Sequence, residues 1–453
     1  FGGKERDLDS VDVLDEIVLD DGPPALVMGL VRVNFVDEGR DLYALSLLVD
    51  RDGGIRDALQ DADRLRILGR LMSQGETLET YSGSFHFGGP GLDPLSPPGE
   101  SARAVSAEQS NSSIILDEDV IVKLFRRVQV GVNPDLELNR LLTNEGFENV
   151  PPHVGEVIYE GSIDDESVSV DLGIAQQFVD DAREGWTTTL QQLHDLYDSA
   201  DDGSDIEPAV SERASGLLEE LEDLGDVTAS LHVLLSREEF EPDVAPDPIG
   251  SHDLKEWAER ARWSLDRLVR AGVTELEPHR EGIERKIDGL TSIDDAGMKT
   301  RVHGDFHLGQ VMRNPRGWLI IDFEGEPLRS MEERRAKQSP LRDVAGMLRS
   351  FSYAATAALF DRAEPGSDEW QRLQPWADAW EARAREVFIT AYHRTAVEGS
   401  FLPTDRETFN QLLDAFEIDK ALYELGYERG HRPRWARIPL RGIVEVLEQG
   451  AAR

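Results

Sequence analysis

Two carboxylates and a side-chain amide stand close together near the middle of this 453-residue chain. Asp305 lies in the segment 302–310, which ends at Gln310, and Asp322 lies in the segment 320–326. In a phosphoryl-transfer site, one carboxylate takes the proton of the attacking hydroxyl, and an amide and a second carboxylate hold Mg²⁺ against the nucleotide phosphates. These three residues have the types and the order that this chemistry needs.

A short turn at 314–317 separates the apolar stretches 310–313 and 318–321. This pattern predicts a β-hairpin, whose two ends would lie close together and so place Asp305 and Asp322 side by side.

Three residues near the catalytic segment receive supporting roles. Glu324 is expected to bind the metal ion directly or to contact one of its ligands. The sequence has no His or Cys residues at metal-binding spacing, and oxygen ligands favour Mg²⁺. His303 is expected to brace the loop by hydrogen bonds rather than act as a base. Asp343 is expected to cap and anchor the helix that follows it.

Lys123 lies on an apolar strand, and the chain has only seven lysines. In a kinase such a lysine binds nucleotide phosphates and pairs with a glutamate on the next helix, here Glu137. The alternative is an edge lysine that extends to solvent.

Two further segments are candidates for nucleotide binding. The first occupies the place of a phosphate-covering loop without its glycines, and the alternative is a plain polar turn. The second, at the end of a strand, has the position of an adenine-binding hinge. The residues concerned are Gln109, Ser110, Asn111 and Ser112 in the first segment, and Gln177 and Val179 in the second.

Near the C-terminus, Lys420, Tyr423, Glu424 and Tyr427 recur at intervals of three and four residues and so share one helical face. Aromatic rings beside charged groups suit a sugar, which stacks its C–H face and hydrogen-bonds through its hydroxyls. The alternative is a half-buried amphipathic helix with satisfied tyrosines.

Composition narrows the function classes. The net charge of −41 argues against nucleic-acid binding and favours a protein adapted to high salt. No apolar run reaches the length of about 20 residues that a membrane span needs, so a cytoplasmic location is the default expectation. The absence of cysteine excludes disulfides and thiol chemistry.

The order of the predicted elements indicates an α+β, bilobal fold like that of eukaryotic protein kinases. Residues 1–90 are predicted to form an added β-rich N-terminal cap, followed by a Gly- and Pro-rich linker. Residues 100–180 have the strand and helix order of a kinase N-lobe, and residues 185–453 are predicted to form a mostly helical C-lobe.

With these residues assembled, the chain resembles the maltokinases, bacterial enzymes related to the aminoglycoside phosphotransferases. The resemblance is carried by the motifs at 108–113, 122–127, 133–137, 303–310, 321–327, 337–347 and 423–433. It implies phosphorylation of maltose by ATP and Mg²⁺ at the anomeric hydroxyl, giving maltose 1-phosphate for α-glucan synthesis. Trehalose synthase, which often supplies maltose in such pathways, is an implied partner.

The resemblance also implies roles for particular residues. Asp305 would be the catalytic base, and the Lys123–Glu137 pair would orient the phosphates. The metal side would be Gln310, Asp322 and Glu324, and the sugar would contact Lys420, Tyr423, Glu424, Tyr427 and Arg432.

Three alternatives stay open. The first is a kinase for glucosamine or another aminoglycoside-like molecule, which would share all the residues on the ATP side. The second is a non-catalytic binding module that regulates trehalose synthase. The third, allowed by a sequence that starts at Phe1 and not at methionine, is a domain of a longer bifunctional chain.

Overall fold

The computed structural model of this chain describes residues 6–93, 96–105, 111–201, 203–326 and 329–452. It divides into two compact units, Phe1–Asp181 and Ala182–Arg453. The predicted boundary near residue 90, between a cap and an N-lobe, stays a prediction.

The first unit contains an antiparallel sheet in the order β1-β2-β3-β10, with β4 also paired to β3. Its first three strands are long and lie where the alternating sequence predicts them. A 3-10 helix, Ala58–Arg66, leads into α1 (Ile67–Gln74) beside this sheet. The strands are β1 (Leu8–Asp20), β2 (Ala25–Phe35), β3 (Arg40–Val49), β4 (Ile55–Asp57) and β10 (Arg127–Val128).

A seven-stranded sheet in the order β5-β6-β11-β12-β9-β8-β7 completes the first unit. Its strands are β5 (Thr77–Glu79), β6 (Gly83–Gly88), β7 (Ala102–Ala104), β8 (Asn111–Leu116), β9 (Val120–Phe125), β11 (His153–Ile163) and β12 (Glu166–Gln177). Helix α2 (Pro134–Asn144) starts where the sequence predicts, because Pro134 occupies its first turn and the Asn133 side chain accepts from the Asp135 backbone N–H at 2.8 Å.

The second unit is mostly helical. Its helices are α3 (Gly185–Asp198), α4 (Ile206–Arg213), α5 (Ser215–Leu235), α6 (Ser251–Arg270), α7 (Arg280–Gly289), α8 (Met331–Arg335), α9 (Leu341–Arg362), α10 (Asp368–Ala396), α11 (Arg406–His431) and α12 (Arg437–Ala452), with 3-10 turns at Thr274–His279, Leu290–Ser292, Leu308–Gln310 and Pro433–Ala436. Two small sheets accompany them, formed by β13 (Arg183–Glu184), β16 (Val311–Asn314) and β17 (Gly317–Ile320), and by β14 (Asp247–Pro248) and β15 (Met298–Lys299).

Helix α9 is the centre of the second unit. It is buried on nearly all sides, as expected for a helix that other elements surround, and it packs against α3, α10, α11 and α12. A Cβ atom at Gly346 would lie 2.6 Å from the carbonyl oxygen of Phe306, so only glycine allows α9 to approach the loop before β16 this closely.

Strands β16 and β17 form the predicted hairpin, with Asn314 paired to Gly317. The Asn314 side chain accepts from the backbone N–H groups of Arg316 and Gly317 at 2.8 and 3.0 Å, which closes the turn. Among the residues that the structure describes, no helix is both long and apolar enough to cross a bilayer.

Candidate active site

Asp305 lies in the loop between β15 and β16, and one buried carboxylate holds the backbone of this loop. Asp343, in the first turn of α9, accepts from the backbone N–H of His303 at 2.8 Å and of Gly304 at 3.0 Å. The prediction that Asp343 caps its own helix is wrong, because α9 has no side-chain cap and its first turn instead anchors the loop.

Two buried side chains support Asp343 from neighbouring helices. His232 of α5 donates from Nε2 to Asp343 at 3.1 Å, and Tyr392 of α10 donates to Nδ1 of His232 at 2.9 Å. Burial opposes ionisation of Asp343, yet His232 and the Gly304 amide hold its pKa below the ordinary value. Burial and the Asp343 charge raise the pKa of Tyr392, so its hydroxyl stays protonated and can donate.

His303 braces the loop as predicted. Its Nε2 donates to the carbonyl oxygen of Ile321 at 2.9 Å, and its Nδ1 accepts from the Asp305 backbone N–H at 3.3 Å. The ring also packs against Phe306 and Phe323 at centroid distances of 5.2 and 4.9 Å. A ring with both nitrogens engaged in this way links the Asp305 loop to the end of β17.

The side chain of Asp305 meets a lysine from α11. Lys420 Nζ donates to Asp305 Oδ1 at 3.1 Å and to Glu326 at 2.8 Å, and Glu326 also accepts from Arg329 at 2.6 Å. Burial raises the pKa of Glu326, but Lys420 and Arg329 outweigh it and bring the pKa to about 2. Burial lowers the pKa of Lys420, but Asp305 and Glu326 raise it well above the ordinary value. Glu326 and Lys420 are therefore both charged at neutral pH.

The three predicted metal ligands lie together. Gln310 Nε2 donates to Asp322 Oδ2 at 3.1 Å, and a carboxylate oxygen of Asp322 lies within 4.8 Å of one from Glu324. Asp322 has a φ of 67°, a left-handed conformation that non-glycine residues seldom adopt. Two carboxylates and an amide that can offer its oxygen are the hard donors that Mg²⁺ prefers, so the residues fit this ion.

His307 lies near the predicted base Asp305 and the predicted metal ligand Asp322. Its Nδ1 accepts from the Gly309 backbone N–H at 3.0 Å, which helps to form the 3-10 turn ending at Gln310. Burial lowers its pKa although the charges of Asp305 and Asp322 act in the opposite direction, so the ring is neutral at pH 7.

A cavity of about 330 Å³ in the second unit includes Asp305 in its lining. Helix α11 contributes Phe416, Asp419, Lys420 and Tyr423, at the i, i+3, i+4 and i+7 spacing of a single helical face. Helix α6 contributes a second face with the same spacing, formed by Arg260, Trp263, Ser264 and Arg267.

Asp419 ties the cavity walls together. It accepts from Arg342 of α9 at 2.9 Å, and Arg260 of α6 lies 3.9 Å away. Arg342 lies over the rings of Trp257 and Phe416, at 5.3 and 4.5 Å from their centroids. Burial and the neighbouring Arg260 lower the pKa of Arg342 to about 10, which still leaves it charged at neutral pH.

In the first unit, Lys123 projects from β9 to the start of α2. Its Nζ lies 3.2 Å from Asp135, whose other carboxylate oxygen accepts from Asn139 at 2.8 Å. Asn139 in turn accepts from Gln176 of β12 at 2.8 Å, so the network links two strands and a helix. Glu137 is half-buried in the first turn of α2, and its predicted pairing with Lys123 stays a prediction.

The other predicted nucleotide contacts also lie in the first unit. Asn111 is buried at the start of β8, and the Ser112 hydroxyl accepts from Arg126 at 2.7 Å. Gln177 ends β12, where its backbone N–H donates to the carbonyl oxygen of Pro152, and Val179 follows half-buried. Gln109 and Ser110 lie outside the described residues.

The residues of α11 that were predicted to bind sugar fall into two groups along the helix. Lys420 and Tyr423 line the cavity. Glu424 instead pairs with the buried Arg349 at 3.0 Å, and Tyr427 is 44% exposed and stacks on His431. Arg432 pairs with Glu428 at 2.6 Å. Sugar contact by these last three residues stays a prediction, since each has another partner.

Comparison with known proteins decides the family. The phosphotransferase enzyme family (APH) matches residues 101–376, more than half of the chain. The chain belongs to the phosphotransferase enzyme family. It is similar to the glucosamine kinase of Mycolicibacterium smegmatis, with 26% identity over 366 residues that span 77% of this chain and 80% of that protein. The glucosamine kinase of Streptacidiphilus jiangxiensis is 24% identical over 427 residues, or 90% of this chain and 86% of that protein.

A solved structure supports the fold of this phosphotransferase. A glucosamine kinase in complex with glucosamine, ADP and inorganic phosphate superposes with a TM-score of 0.71 at 21% identity, covering 97% of this chain and 94% of that one. The predicted α+β fold class, of the bilobal kinase-like type, is thereby confirmed.

Sequence reasoning missed several groups at the site of this phosphotransferase. The partners of Lys420 and Asp419, namely Glu326 and Arg342, come from segments far away in the chain. The part of the cavity lining on α6 could have been found from the sequence, because its four residues have the spacing of one face on a predicted helix. These residues are Arg260, Trp263, Ser264 and Arg267.

Proposed function

We propose that this phosphotransferase transfers the γ-phosphoryl group of ATP to a hydroxyl of glucosamine. The observation that carries the proposal is the position of Asp305 in the lining of a cavity rich in hydrogen-bonding side chains. Two relatives that match most of both chains are glucosamine kinases, which supports an amino sugar as the acceptor.

Asp305 has the role of general base in this proposal. Because Lys420 holds Oδ1, the other carboxylate oxygen is left to accept a hydrogen bond from the acceptor hydroxyl. As the hydroxyl oxygen bonds to the γ-phosphorus, its proton passes to Asp305 and the bond to the β–γ bridging oxygen breaks, which releases ADP. Asp343 and His303 keep the base in place through the loop backbone.

Other residues are proposed to bind the nucleotide phosphates and the metal ion. Lys123, held by Asp135, would bind nucleotide phosphates, and Gln310, Asp322 and Glu324 would hold Mg²⁺. When bound there, Mg²⁺ would neutralise part of the phosphate charge.

Maltose is the less favoured acceptor. The maltose hypothesis rests on the resemblance of sequence motifs, whereas both relatives described above are glucosamine kinases. Both acceptors would use the same base and the same ATP-side residues, so only turnover can separate them.

The test measures ADP release with glucosamine, maltose, glucose and kanamycin as acceptors, at low and high salt. We expect saturable turnover with glucosamine. Loss of the base in Asp305→Asn should lower kcat by roughly 10²- to 10⁴-fold. The matched control is Asp361→Asn, a change at an exposed carboxylate that pairs with His194 on the surface.

Saturable turnover with maltose but not with glucosamine would refute the proposed acceptor. Unchanged kcat in Asp305→Asn would refute the base. ADP release that no sugar stimulates would contradict a sugar kinase altogether.

A further inference from the structure

Helix α6 has one face that packs inward and another that lines the cavity. One face packs inward through Leu254, Trp257, Ala258, Ala261, Leu265 and Leu268. The other face lines the cavity through Arg260, Trp263, Ser264 and Arg267. At about 1.5 Å of rise per residue, this second face runs for about 10 Å along the cavity, further than a single pyranose ring extends.

Trp263 is unusual among the tryptophans of this chain. Its side chain is 59% exposed, whereas the other seven are buried or half-buried. Arg267 lies over the indole with its guanidinium carbon 4.9 Å from the ring centroid, which restricts the ring without covering it. An exposed indole at a cavity that contains a catalytic base is suited to stack against the C–H face of a sugar.

Polar atoms without partners line the same cavity. Arg260 and Arg342 each have two buried N–H groups, at Nε and Nη2, with no hydrogen-bond acceptor among the described residues. The Oε1 atom of Gln338 likewise has no donor in the described part of the chain. Hydroxyl groups both donate and accept, so a polyhydroxylated ligand can complement this mixture of donors and an acceptor.

We infer that the acceptor site has a second sugar subsite on α6, with Trp263 as its stacking platform, and that the acceptor is an amino sugar of two linked rings. The reacting ring lies at Asp305 and Lys420, and the second ring lies against Trp263 and Ser264. A cavity of about 330 Å³ has room for such a ligand, since sites of this volume hold molecules larger than one hexose. This inference rests on the proposed function and extends its acceptor.

The experiment compares glucosamine with the β-1,4-linked disaccharide of glucosamine in wild type, Trp263→Ala and Trp263→Phe. We expect the wild type to have the higher kcat/KM for the disaccharide. In Trp263→Ala the KM for the disaccharide should rise roughly tenfold, because the stacking contact is lost. The KM for glucosamine should rise less than the KM for the disaccharide in that variant, and Trp263→Phe should recover part of the disaccharide affinity.

The control variant is Val397→Ala, which removes another exposed apolar side chain after the end of α10. Calorimetric titration of the disaccharide into each variant without ATP supplies a readout that does not depend on turnover. Equal disaccharide binding by wild type and Trp263→Ala would overturn the subsite. A wild type that prefers glucosamine would overturn the two-ring acceptor.

The two readouts also separate this inference from the proposed function. If no sugar were phosphorylated but the disaccharide bound and Trp263→Ala weakened its binding, the kinase assignment would fail and the subsite would stand. If glucosamine were phosphorylated and Trp263→Ala changed neither acceptor, the subsite would fail alone.

Discussion

Replacing Asp343 by asparagine should slow catalysis by displacing the catalytic base. The carboxylate accepts three hydrogen bonds, from the His303 and Gly304 backbone N–H groups and from His232. An asparagine presents one oxygen and one NH₂ group in the same space, so at least one buried donor faces another donor. Leaving such a donor unsatisfied costs about 1–3 kcal/mol, and losing the buried charge adds to this.

The effect on rate follows from the position of Asp305, two residues after His303. A displacement of the base by about 1 Å is enough to lower the rate roughly 10²-fold. We therefore expect Asp343→Asn to lower kcat by about that factor, to leave the KM for ATP nearly unchanged, and to reduce the free energy of unfolding by about 3 kcal/mol.

Steady-state kinetics and urea unfolding measure these two quantities. Asp226→Asn is the matched control, because the Asp226 side chain also accepts two hydrogen bonds, from Arg394 and Thr395, but lies on the outer side of α5. A variant Asp343→Asn that kept the wild-type kcat would show that the loop needs no anchor on α9. An equal fall in kcat in the control would show a general loss of folded protein.

Two further changes test the site. Glu326 has a pKa of about 2 in the folded chain, below its unfolded value, so its contribution to stability is present above about pH 4.5 and is lost as the pH falls towards 2. We expect Glu326→Gln to destabilise the protein by roughly 3 kcal/mol at neutral pH, and this difference from wild type in urea unfolding should shrink below pH 4.5. Asp322→Gly should relieve about 1 kcal/mol of left-handed strain and lose a hydrogen bond of similar worth from Gln310, so its stability should stay close to that of wild type. Calorimetry should nevertheless show that Asp322→Gly has lost Mg²⁺ binding, and retained binding would contradict the metal assignment.

Local chemistry made much of the fold predictable. Asn133 and Pro134 mark the start of α2 because an amide cap and a preset φ act within a few residues. The turn 314–317 closes the predicted hairpin for the same reason, through one asparagine side chain. The order of Asp305, Gln310 and Asp322 could be interpreted because the hairpin between them is local.

The supporting contacts could not be predicted, because they join residues far apart in sequence. His232 and Asp343 are 111 positions apart, and His232 and Tyr392 are 160 positions apart. The spacing of Lys420, Tyr423 and Tyr427 on α11 predicted a shared helical face, but it did not predict how far the cavity extends along that face. Tyr427 lies about 10 Å along the helix from Lys420, and it stacks on His431 at the surface.

The division of roles between the anchor of the Asp305 loop and helix α6 matters for protein engineering. Asp343, His232 and Tyr392 hold the loop that carries the reacting carboxylate. Trp263 and Ser264 belong to helix α6, which carries none of these three residues. Libraries of variants at exposed positions of α6 can therefore redesign which sugars are accepted while the reaction machinery stays intact. Changes at Tyr392 remove the hydroxyl that supports His232, so we expect them to lower activity although Tyr392 does not line the cavity.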